Sequence, residues 1–465
     1  MCHQPMCHQS MHVCHRGWGV RTSLMRQLMR EAEMKGGVIL FRGNGAAARR
    51  YIEADRSRAD EYYLGADDAV AEYAVLDGRG EVTATHALSA DEYEGWVDWI
   101  NPGTGESMGT PRAAAVGMKG SPLFAEMTIN APKSLSVAAA LHPDVSVALD
   151  AAQQDALAEI RQWLGQHSVT RVGPRDAREV LPIERMQVVG IRHKTSRAGD
   201  PHRHIHMQIG MRVWAAGKWR ALDTAALFKQ QGAIRALGTA VIAAHPQLAQ
   251  TLTRHGLALD PASGEIRELE PFNAMMSKRS AQIRRNLDRL EAEWEAAHPG
   301  EELGRVMTAR LQGIAWTHQR PGKKPVDLKD EQWWVQELRE AGYDPATSEH
   351  RTSQPAVAVD ELSVQEVASR ALDRSAASSS AWTRHTLQEH VTRITTEAGV
   401  QATPAELREF ITLATELAVS DCFSVLPPGA ATPEHVAHLT SLSVLTAEAA
   451  LRDQLTATKP KRKSE

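Results

Sequence analysis

Within Arg192–Met211, an alternation of polar and apolar residues from His204 onward predicts a β-strand with two different faces. Successive side chains of a strand point to opposite faces, so His204 and His206 would share one face. The apolar residues that alternate with them would point the other way, into a core: Ile205, Met207, Ile209 and Met211. A second apolar run, Met186–Ile191, precedes this stretch and predicts a partner strand.

Histidines cluster where these two strands would meet. His193 lies at the end of the first strand, and Asp200-Pro201 indicates a turn in the connection. Pairing of the strands would bring His193 beside His204 and His206. Three neutral imidazoles form a metal site that keeps positions open for a substrate. Solvated histidines on a sheet face are the alternative for the His-x-His pattern alone, and the third histidine favours the metal site. His202 lies on the turn side and is interpreted as a bystander that could substitute for His193.

The stretch Leu123–Val137 begins as a strand, and Ala131-Pro132-Lys133-Ser134 would break it and start a helix. The N-terminus of such a helix, with Lys133 beside it, can hold a phosphate. Glu126 alternates with apolar neighbours and therefore lies on the polar face of the strand.

Further helices are predicted on both sides of the histidine strands: Ala46–Leu64, residues 150–167, and a long stretch after Thr224 as N-cap, broken by Pro246 and ended by Gly256.

The predicted helix Ala46–Leu64 carries three of the six tyrosines of the chain. Tyr51 and Tyr62 are 11 positions apart, about three helical turns, so they would share a face, and Tyr63 follows directly. The arginines around them suit a phosphate backbone and equally an ordinary solvated helix face: Arg49, Arg50, Arg56 and Arg58.

The composition limits the class of protein. A chain of 465 residues is long enough for two or three domains, and 42% hydrophobic with 24% charged residues is ordinary for a globular protein. The net charge of −4 gives no global basic field, so a nucleic-acid site must come from local patches. Residues 277–289 are one such patch, with five basic residues and one acidic residue. No apolar run reaches the length of a transmembrane helix.

Cysteine usage and composition divide the chain further. Three of the four cysteines lie in the first 14 residues and Cys422 stands far away, which argues against a disulfide framework and for a reducing cytoplasm. Residues 1–33 repeat Cys-His and are either a soft-metal tract or an upstream extension from an early start, and we interpret them as a disordered leader.

Residues 346–382 are rich in Ser, Ala and Pro and predict a linker. A small helical domain over 383–458 and a basic tail over 459–465 would follow.

Several sequence motifs of this chain occur in the order found in the relaxase domain of TrwC/TraI-type conjugative relaxases, the MobF family of HUH endonucleases. Residues 34–345 resemble that domain. The motifs that carry the resemblance are the tyrosine cluster, Asn130-Ala-Pro-Lys-Ser134, Arg192–His206, Gly217–Leu222 and Ser277-Lys278-Arg279. The resemblance implies an α/β (α+β) palm in which an antiparallel sheet has helices on one side and DNA across the other.

The resemblance also implies a reaction. One strand of origin-of-transfer DNA is nicked by a tyrosine hydroxyl that stays bound to the 5′ end as a phosphotyrosine, and the reverse reaction rejoins the strand. His193, His204 and His206 match the ligands of a divalent ion, Mg²⁺, Mn²⁺ or Zn²⁺. Glu126 matches an acidic residue that acts as a base or as a partner of a ligand. The family often has two Tyr-Tyr pairs, and this chain has Arg50-Tyr51 and Tyr62-Tyr63, so the nicking residue is expected among these tyrosines, with Tyr51 favoured.

Basic residues in the matching motifs are expected to contact DNA: Lys133, Arg192, Arg197, Arg220, Lys278 and Arg279. The implied partners are single-stranded and hairpin origin DNA and a type IV secretion coupling protein. Larger members of the family continue into a helicase, and residues 383–458 resemble its beginning. The chain has no Walker motif, so we expect nicking without unwinding.

Three alternatives use part of the same pattern. A rolling-circle replication initiator would use the same metal and tyrosine chemistry. A plasmid regulator that has lost catalysis would bind the origin without cutting it. A hydrolase of small molecules would explain the histidines but would leave the tyrosines and the basic blocks unexplained.

Overall fold

A computed structural model describes residues 37–55, 69–174, 177–319, 322, 328–344, 357–427, 429 and 432–457. The helices are α1 Gly45–Asp55, α2 Ala90–Val97, α3 Lys133–Leu141, α4 Pro143–His167, α5 Thr224–Ala244, α6 Pro246–Arg254, α7 Lys278–Ala297, α8 Arg305–Thr317, α9 Leu328–Glu340, α10 Val364–Ser378, α11 Arg384–Glu397, α12 Pro404–Ser420 and α13 Leu442–Ala457. The strands are β1 Ile39–Phe41, β2 Ala69–Asp77, β3 Val82–Ser89, β4 Phe124–Asn130, β5 Val169–Val172, β6 Glu179–Pro182, β7 Arg185–Thr195, β8 Pro201–Gly210, β9 Arg212–Ala215, β10 Lys218–Ala221, β11 Val357–Ala358, β12 Val400–Gln401, β13 Phe423–Ser424 and β14 Leu439–Thr440.

The largest sheet in the described ranges has eight antiparallel strands. Its main order is β1-β4-β8-β7-β2-β3, and β9 pairs with both β7 and β10. The two predicted strands before and after Asp200 are β7 and β8, and they form a hairpin at the centre of the sheet. The predicted α/β fold with an antiparallel sheet is therefore confirmed.

The two faces of the sheet are covered differently. On one face, here called the helix face, the apolar side chains of β8 are almost fully buried, with exposed fractions of 1% for Ile205 and 0% for Met207 and Ile209. Helix α4 packs against this face and contacts β2, β4, β7 and β8. Burial of each such side chain stabilises the fold by about 1.5–3 kcal/mol. The other face carries the histidines and is called the histidine face.

The C-terminal end of α4 approaches the β2–β3 turn very closely. A Cβ atom at Gly165 would lie 2.3 Å from the Cα atom of Gly80 and 2.6 Å from the carbonyl oxygen of Asp77. Gly80 itself has φ +83°, a backbone conformation that side chains disfavour. The two glycines allow the long helix to pack along the sheet.

Of two helix boundaries near the histidine strands, one differs from the prediction and one agrees with it. The N-cap of α5 is Asp223 and not Thr224, because the Asp223 carboxylate accepts hydrogen bonds from the backbone N–H groups of Ala225 and Ala226. The predicted break at Pro246 occurs, since α5 ends at Ala244 and α6 begins at Pro246.

The predicted linker, 346–382, differs from the structure over its later part. Helix α10 occupies Val364–Ser378, and its residues Val367, Ala368 and Ala371 are buried. Ser375 is also fully buried, and its hydroxyl is satisfied because it donates to the Ala371 carbonyl at 2.9 Å. Small residues that resemble linker composition here form the packed side of a helix.

The C-terminal helices pack directly on α5. Val391 and Ile394 of α11 belong to the same buried cluster as Ile234 and Val241 of α5. Among the described helices, none is long and apolar enough to cross a membrane.

Candidate active site

Three histidines converge on the histidine face of the central hairpin. Register pairing places His193 of β7 directly opposite His204 of β8, and His206 lies two residues further along β8. The ring centroids of the three pairs lie 5.0–5.1 Å apart. Each histidine offers one nitrogen, and these atoms lie within 4.8 Å of one another. The predicted grouping of His193, His204 and His206 is thus present, and His202 lies outside this group of converging ligand atoms.

Hydrogen bonds fix the protonation of two of these rings. The Nδ1–H of His204 donates to the His202 carbonyl oxygen at 2.9 Å, and the Nδ1–H of His206 donates to Oε1 of Glu126 at 3.0 Å. Carbonyl and ionised carboxylate oxygens only accept, so Nδ1 carries the proton in both rings. In the neutral form of each ring, Nε2 then keeps the lone pair that a metal ion needs.

Burial keeps the imidazole of His204 neutral. Removal of water lowers the pKa of His204 well below its ordinary value, and the neighbouring histidines His202, His206 and His193 lower it further. Burial also lowers the pKa of His202 to about 3. Neutral imidazole is the form that binds metal ions, so this donor set suits a divalent ion.

Glu126 is the start of a hydrogen-bond chain behind the histidines. Its second oxygen, Oε2, accepts from Nε2 of Gln208 at 3.0 Å, and Oε1 of Gln208 accepts from the hydroxyl of Tyr93 at 2.8 Å. Burial raises the pKa of Tyr93, so its hydroxyl stays protonated and can donate. The chain from Tyr93 to His206 holds the ring of a prospective ligand in one orientation.

Sequence reasoning identified Glu126 but missed Gln208 and Tyr93. Gln208 continues the same alternation as His204 and His206, so the period of two along β8 could have identified it. Tyr93 lies 115 residues away in α2, and no sequence pattern links it to the site.

Tyr51 is the predicted tyrosine that the structure describes. It lies in α1 and is half-buried. The guanidinium of Arg197 lies over its ring, 5.1 Å from the centroid. Arg197 is four residues beyond His193 in the β7–β8 connection, so this contact brings α1 to the end of the histidine hairpin. Tyr62 and Tyr63 lie outside the described residues.

The β7–β8 connection also gathers several of the predicted basic residues around Asp200. The Asp200 carboxylate is 1% exposed and accepts from the backbone N–H of Arg279 at 3.4 Å. The Nζ atom of Lys278 lies 3.9 Å from Asp200 and 3.1 Å from Glu337. Lys133 donates to the Pro201 carbonyl at 2.6 Å, and burial lowers its pKa to about 8. Several of these basic residues therefore contact other groups of the protein and stabilise the β7–β8 connection.

Two predicted DNA contacts lie elsewhere. Arg192 alternates with His193 and points to the helix face, where it donates to Gln154 of α4 and lies 3.8 Å from Glu72. Arg220 lies in β10, near the start of β7, and donates to the Ala215 carbonyl at 2.8 Å. Arg192 therefore lies on the face opposite His193, and a contact of either arginine with DNA stays a prediction.

A His-x-His strand paired with a third histidine, on a central antiparallel sheet backed by helices, defines the HUH class of fold. The sequence profile described as TrwC relaxase matches residues 45–341, and the chain belongs to the TrwC relaxase family. No curated protein matches the chain in sequence.

The chain is similar to solved structures of one conjugative relaxase. The copper-bound structure of the conjugative relaxase TrwC with oriT DNA is 22% identical, covers 67% of this chain and 99% of that chain, and has a TM-score of 0.50. A metal-bound TrwC structure with oriT DNA has the same identity and coverage and a TM-score of 0.48. A metal-free TrwC complex with oriT DNA is 22% identical, covers 66% of this chain and 99% of that chain, and has a TM-score of 0.47.

Proposed function

We propose that this protein is a DNA relaxase that nicks and recloses one strand at an origin of transfer, in a metal-dependent reaction with a 5′-phosphotyrosine intermediate. Residues 34–345 would form the relaxase domain. The observation that carries the proposal is the convergence of His193, His204 and His206 on the sheet of a TrwC-family chain, with Glu126 behind them.

The three histidines would hold a divalent ion. When bound, the ion would supply Lewis-acid polarisation of a non-bridging phosphate oxygen and offset its negative charge. Mg²⁺, Mn²⁺ and Zn²⁺ all remain within this proposal, because geometry and availability decide selectivity as much as ligand type. Glu126 acts through His206 as a positioning residue, since its carboxylate accepts the Nδ1 proton of that ring.

Tyr51 is the proposed nucleophile for the first cleavage, with Tyr62 and Tyr63 for a second transfer. In the proposed step the phenol oxygen forms a bond to phosphorus while the bond from phosphorus to the 3′ oxygen breaks. The phenol loses its proton, and the departing 3′ oxygen gains one. The phosphotyrosine keeps the free energy of the ester, so attack by the 3′-OH can rejoin the strand without ATP. Arg197, stacked on the Tyr51 ring, would contact the phosphate that approaches the phenol.

The proposed path for single-stranded or hairpin origin DNA follows the end of the histidine hairpin. Arg197 and Lys133 lie at this end, and Lys278 and Arg279 begin α7 beside it. Phosphate contacts from such residues supply most of the affinity for DNA. Transfer of the nicked strand would also require a coupling protein of a secretion system.

A cleavage assay tests the proposal. Full-length protein is incubated with labelled single-stranded oligonucleotides that tile the DNA upstream of its gene, with and without Mg²⁺ or Mn²⁺. We expect one metal-dependent cut. The His204→Ala variant should lose cleavage and keep most of its DNA affinity, because the imidazole lies in the metal group and phosphate contacts lie elsewhere.

The matched control is His318→Ala, which removes a histidine at the C-cap of α8. This variant should cleave at the wild-type rate. If His204→Ala also cleaved at the wild-type rate, the metal site would have no part in the reaction.

A further inference from the structure

A second group of metal-binding side chains lies where the C-terminal helices meet α4. His167 is the last residue of α4, His385 is the second residue of α11, and Glu434 lies between β13 and β14. Each offers one ligand atom, and these atoms lie within 4.8 Å of one another. We propose that His167, His385 and Glu434 bind a divalent transition-metal ion, Zn²⁺ by the chemistry of the donors, which fastens the C-terminal helices to the relaxase domain.

His385 gives the strongest support for this site. Its exposed fraction is 1%, and neither of its ring nitrogens has a hydrogen-bond partner among the described residues. Buried polar atoms normally have partners, and an unsatisfied pair on one ring is costly. Burial lowers the pKa of His385 to about 3, so the ring is neutral and has a lone pair to give. A metal ion would satisfy one of these two nitrogens.

The rings are arranged so that their edges can face one point. The planes of His167 and His385 are perpendicular, at 88°, with centroids 5.5 Å apart. Trp163 packs on both rings, 4.0 Å from His167 and 5.4 Å from His385, and its indole N–H donates to Gln230 at 3.3 Å. This tryptophan holds both imidazoles in place.

The third donor is a carboxylate that stays ionised. Partial burial raises the pKa of Glu434, but the hydrogen bond and charge of His167 outweigh it and bring the pKa to about 2. Oε2 of Glu434 lies 2.6 Å from Nδ1 of His167. An incoming ion would displace the proton that these two atoms share, as metal binding commonly does.

The donor set selects the class of ion. Two imidazoles and one carboxylate match the ligands of zinc sites that keep a fourth position for water, whereas Mg²⁺ and Ca²⁺ prefer oxygen ligands throughout. His167 also lines a cavity of about 690 Å³, which leaves room for that water. The neighbouring cation, Arg384, is paired with Glu416 and therefore opposes the ion less.

The position of the site explains what the ion would do. His167 lies in the part of the chain that matches the family, while His385 and Glu434 lie beyond residue 341, where that match ends. An ion held by all three would bind the folded arrangement and not the unfolded chain, so it would stabilise the packing of α11 on the domain. This role does not depend on nicking.

Zinc content tests the proposal. Full-length wild type, Glu434→Gln and His385→Phe are equilibrated with Zn²⁺ buffered in the nanomolar range and analysed by inductively coupled plasma mass spectrometry. Glu434→Gln alters a side chain that is 45% exposed, so the fold should remain. His385→Phe keeps a buried ring and removes both nitrogens. Each variant should carry about one equivalent of zinc less than wild type.

Controls separate this site from the other possible zinc ligands. Glu409→Gln removes an exposed carboxylate that lines the same cavity, and it should carry as much zinc as wild type. His204→Ala removes the site on the sheet. Adding Glu434→Gln to this variant should cause the same loss of zinc relative to His204→Ala alone. Any zinc bound by the Cys-His segment at residues 1–33 is the same in wild type and in all of these variants. If Glu434→Gln and His385→Phe retained the zinc content of wild type, the site would not exist.

Discussion

Replacement of Glu126 by glutamine should weaken metal binding at the sheet without unfolding the protein. The carboxylate accepts two hydrogen bonds, from Nδ1 of His206 at 3.0 Å and from Nε2 of Gln208 at 3.0 Å. An amide offers one acceptor and one donor, so it cannot serve both groups as they now stand. The substitution also removes the negative charge that makes His206 a stronger ligand.

The expected size follows from the role of this contact. Loss of a hydrogen-bond partner of a metal-bound histidine commonly reduces metal affinity on the order of 10–100-fold, which is about 1.4–2.7 kcal/mol. Tyr93→Phe removes only the outermost bond of the chain, from the Tyr93 hydroxyl to Gln208 at 2.8 Å, and should have a smaller effect. The order of effects, Glu126→Gln above Tyr93→Phe, is itself a prediction.

Calorimetric titration with Mn²⁺ measures the affinity, and the His204→Ala variant reports binding elsewhere in the chain. Glu81→Gln is the matched control, because it changes an exposed carboxylate at the β2–β3 turn of the same sheet and should bind as wild type does. An affinity of Glu126→Gln within about twofold of wild type, well below the expected range, would refute the positioning role.

Three further predictions concern the fold. Gly165→Ala should destabilise it by about 1–3 kcal/mol in urea unfolding, because the new methyl would lie 2.3 Å from the Gly80 Cα, whereas Gly313→Ala, which meets nothing within 4 Å, should be neutral or stabilising. Leu157→Ala in the fully buried face of α4 should cost about 2–5 kcal/mol, and Leu413→Ala, at an exposed position of α12, should cost much less in the same assay. Asp223→Asn should lower stability near neutral pH, because burial raises the pKa of Asp223 but the Arg171 ion pair and the helix N–H groups of α5 lower it overall. A lowered folded pKa means that the carboxylate stabilises the fold above the unfolded value of 3.8 and that this contribution is lost as the pH falls through the folded pKa, so the wild-type and Asp223→Asn unfolding free energies should converge in acid and differ most at neutral pH.

The alternation along β8 was enough to predict the histidine site, because one face of the strand had to be apolar. The alternation along β7 could likewise have placed Arg192, which alternates with His193 and so points away from the site. The motif that contains Arg192 had suggested a DNA contact, but in the structure its guanidinium serves Gln154 and Glu72 on the helix face. The alternation thus places Arg192 on the helix face, and its contact with DNA stays a prediction.

Other features depend on contacts that no local pattern records. The bond between Tyr93 and Gln208 joins residues that are 115 positions apart, and the group of His167, His385 and Glu434 spans the chain over a still longer distance. The serine and alanine residues of α10 have the composition of a linker, yet their small size lets that helix pack against α11 and α12. In all three features, the structure depends on packing against elements that are distant in the sequence.

The most direct test of the proposed relaxase is to map the covalent adduct. Protein is incubated with Mn²⁺ and an oligonucleotide that contains the origin, digested with a protease, and analysed by mass spectrometry for a peptide linked to the 5′ phosphate. The account predicts an adduct on Tyr51 that requires the metal and disappears in Tyr51→Phe. Binding to that oligonucleotide with no cut and no adduct on any tyrosine would contradict the account and favour a regulator that binds the origin without cutting it.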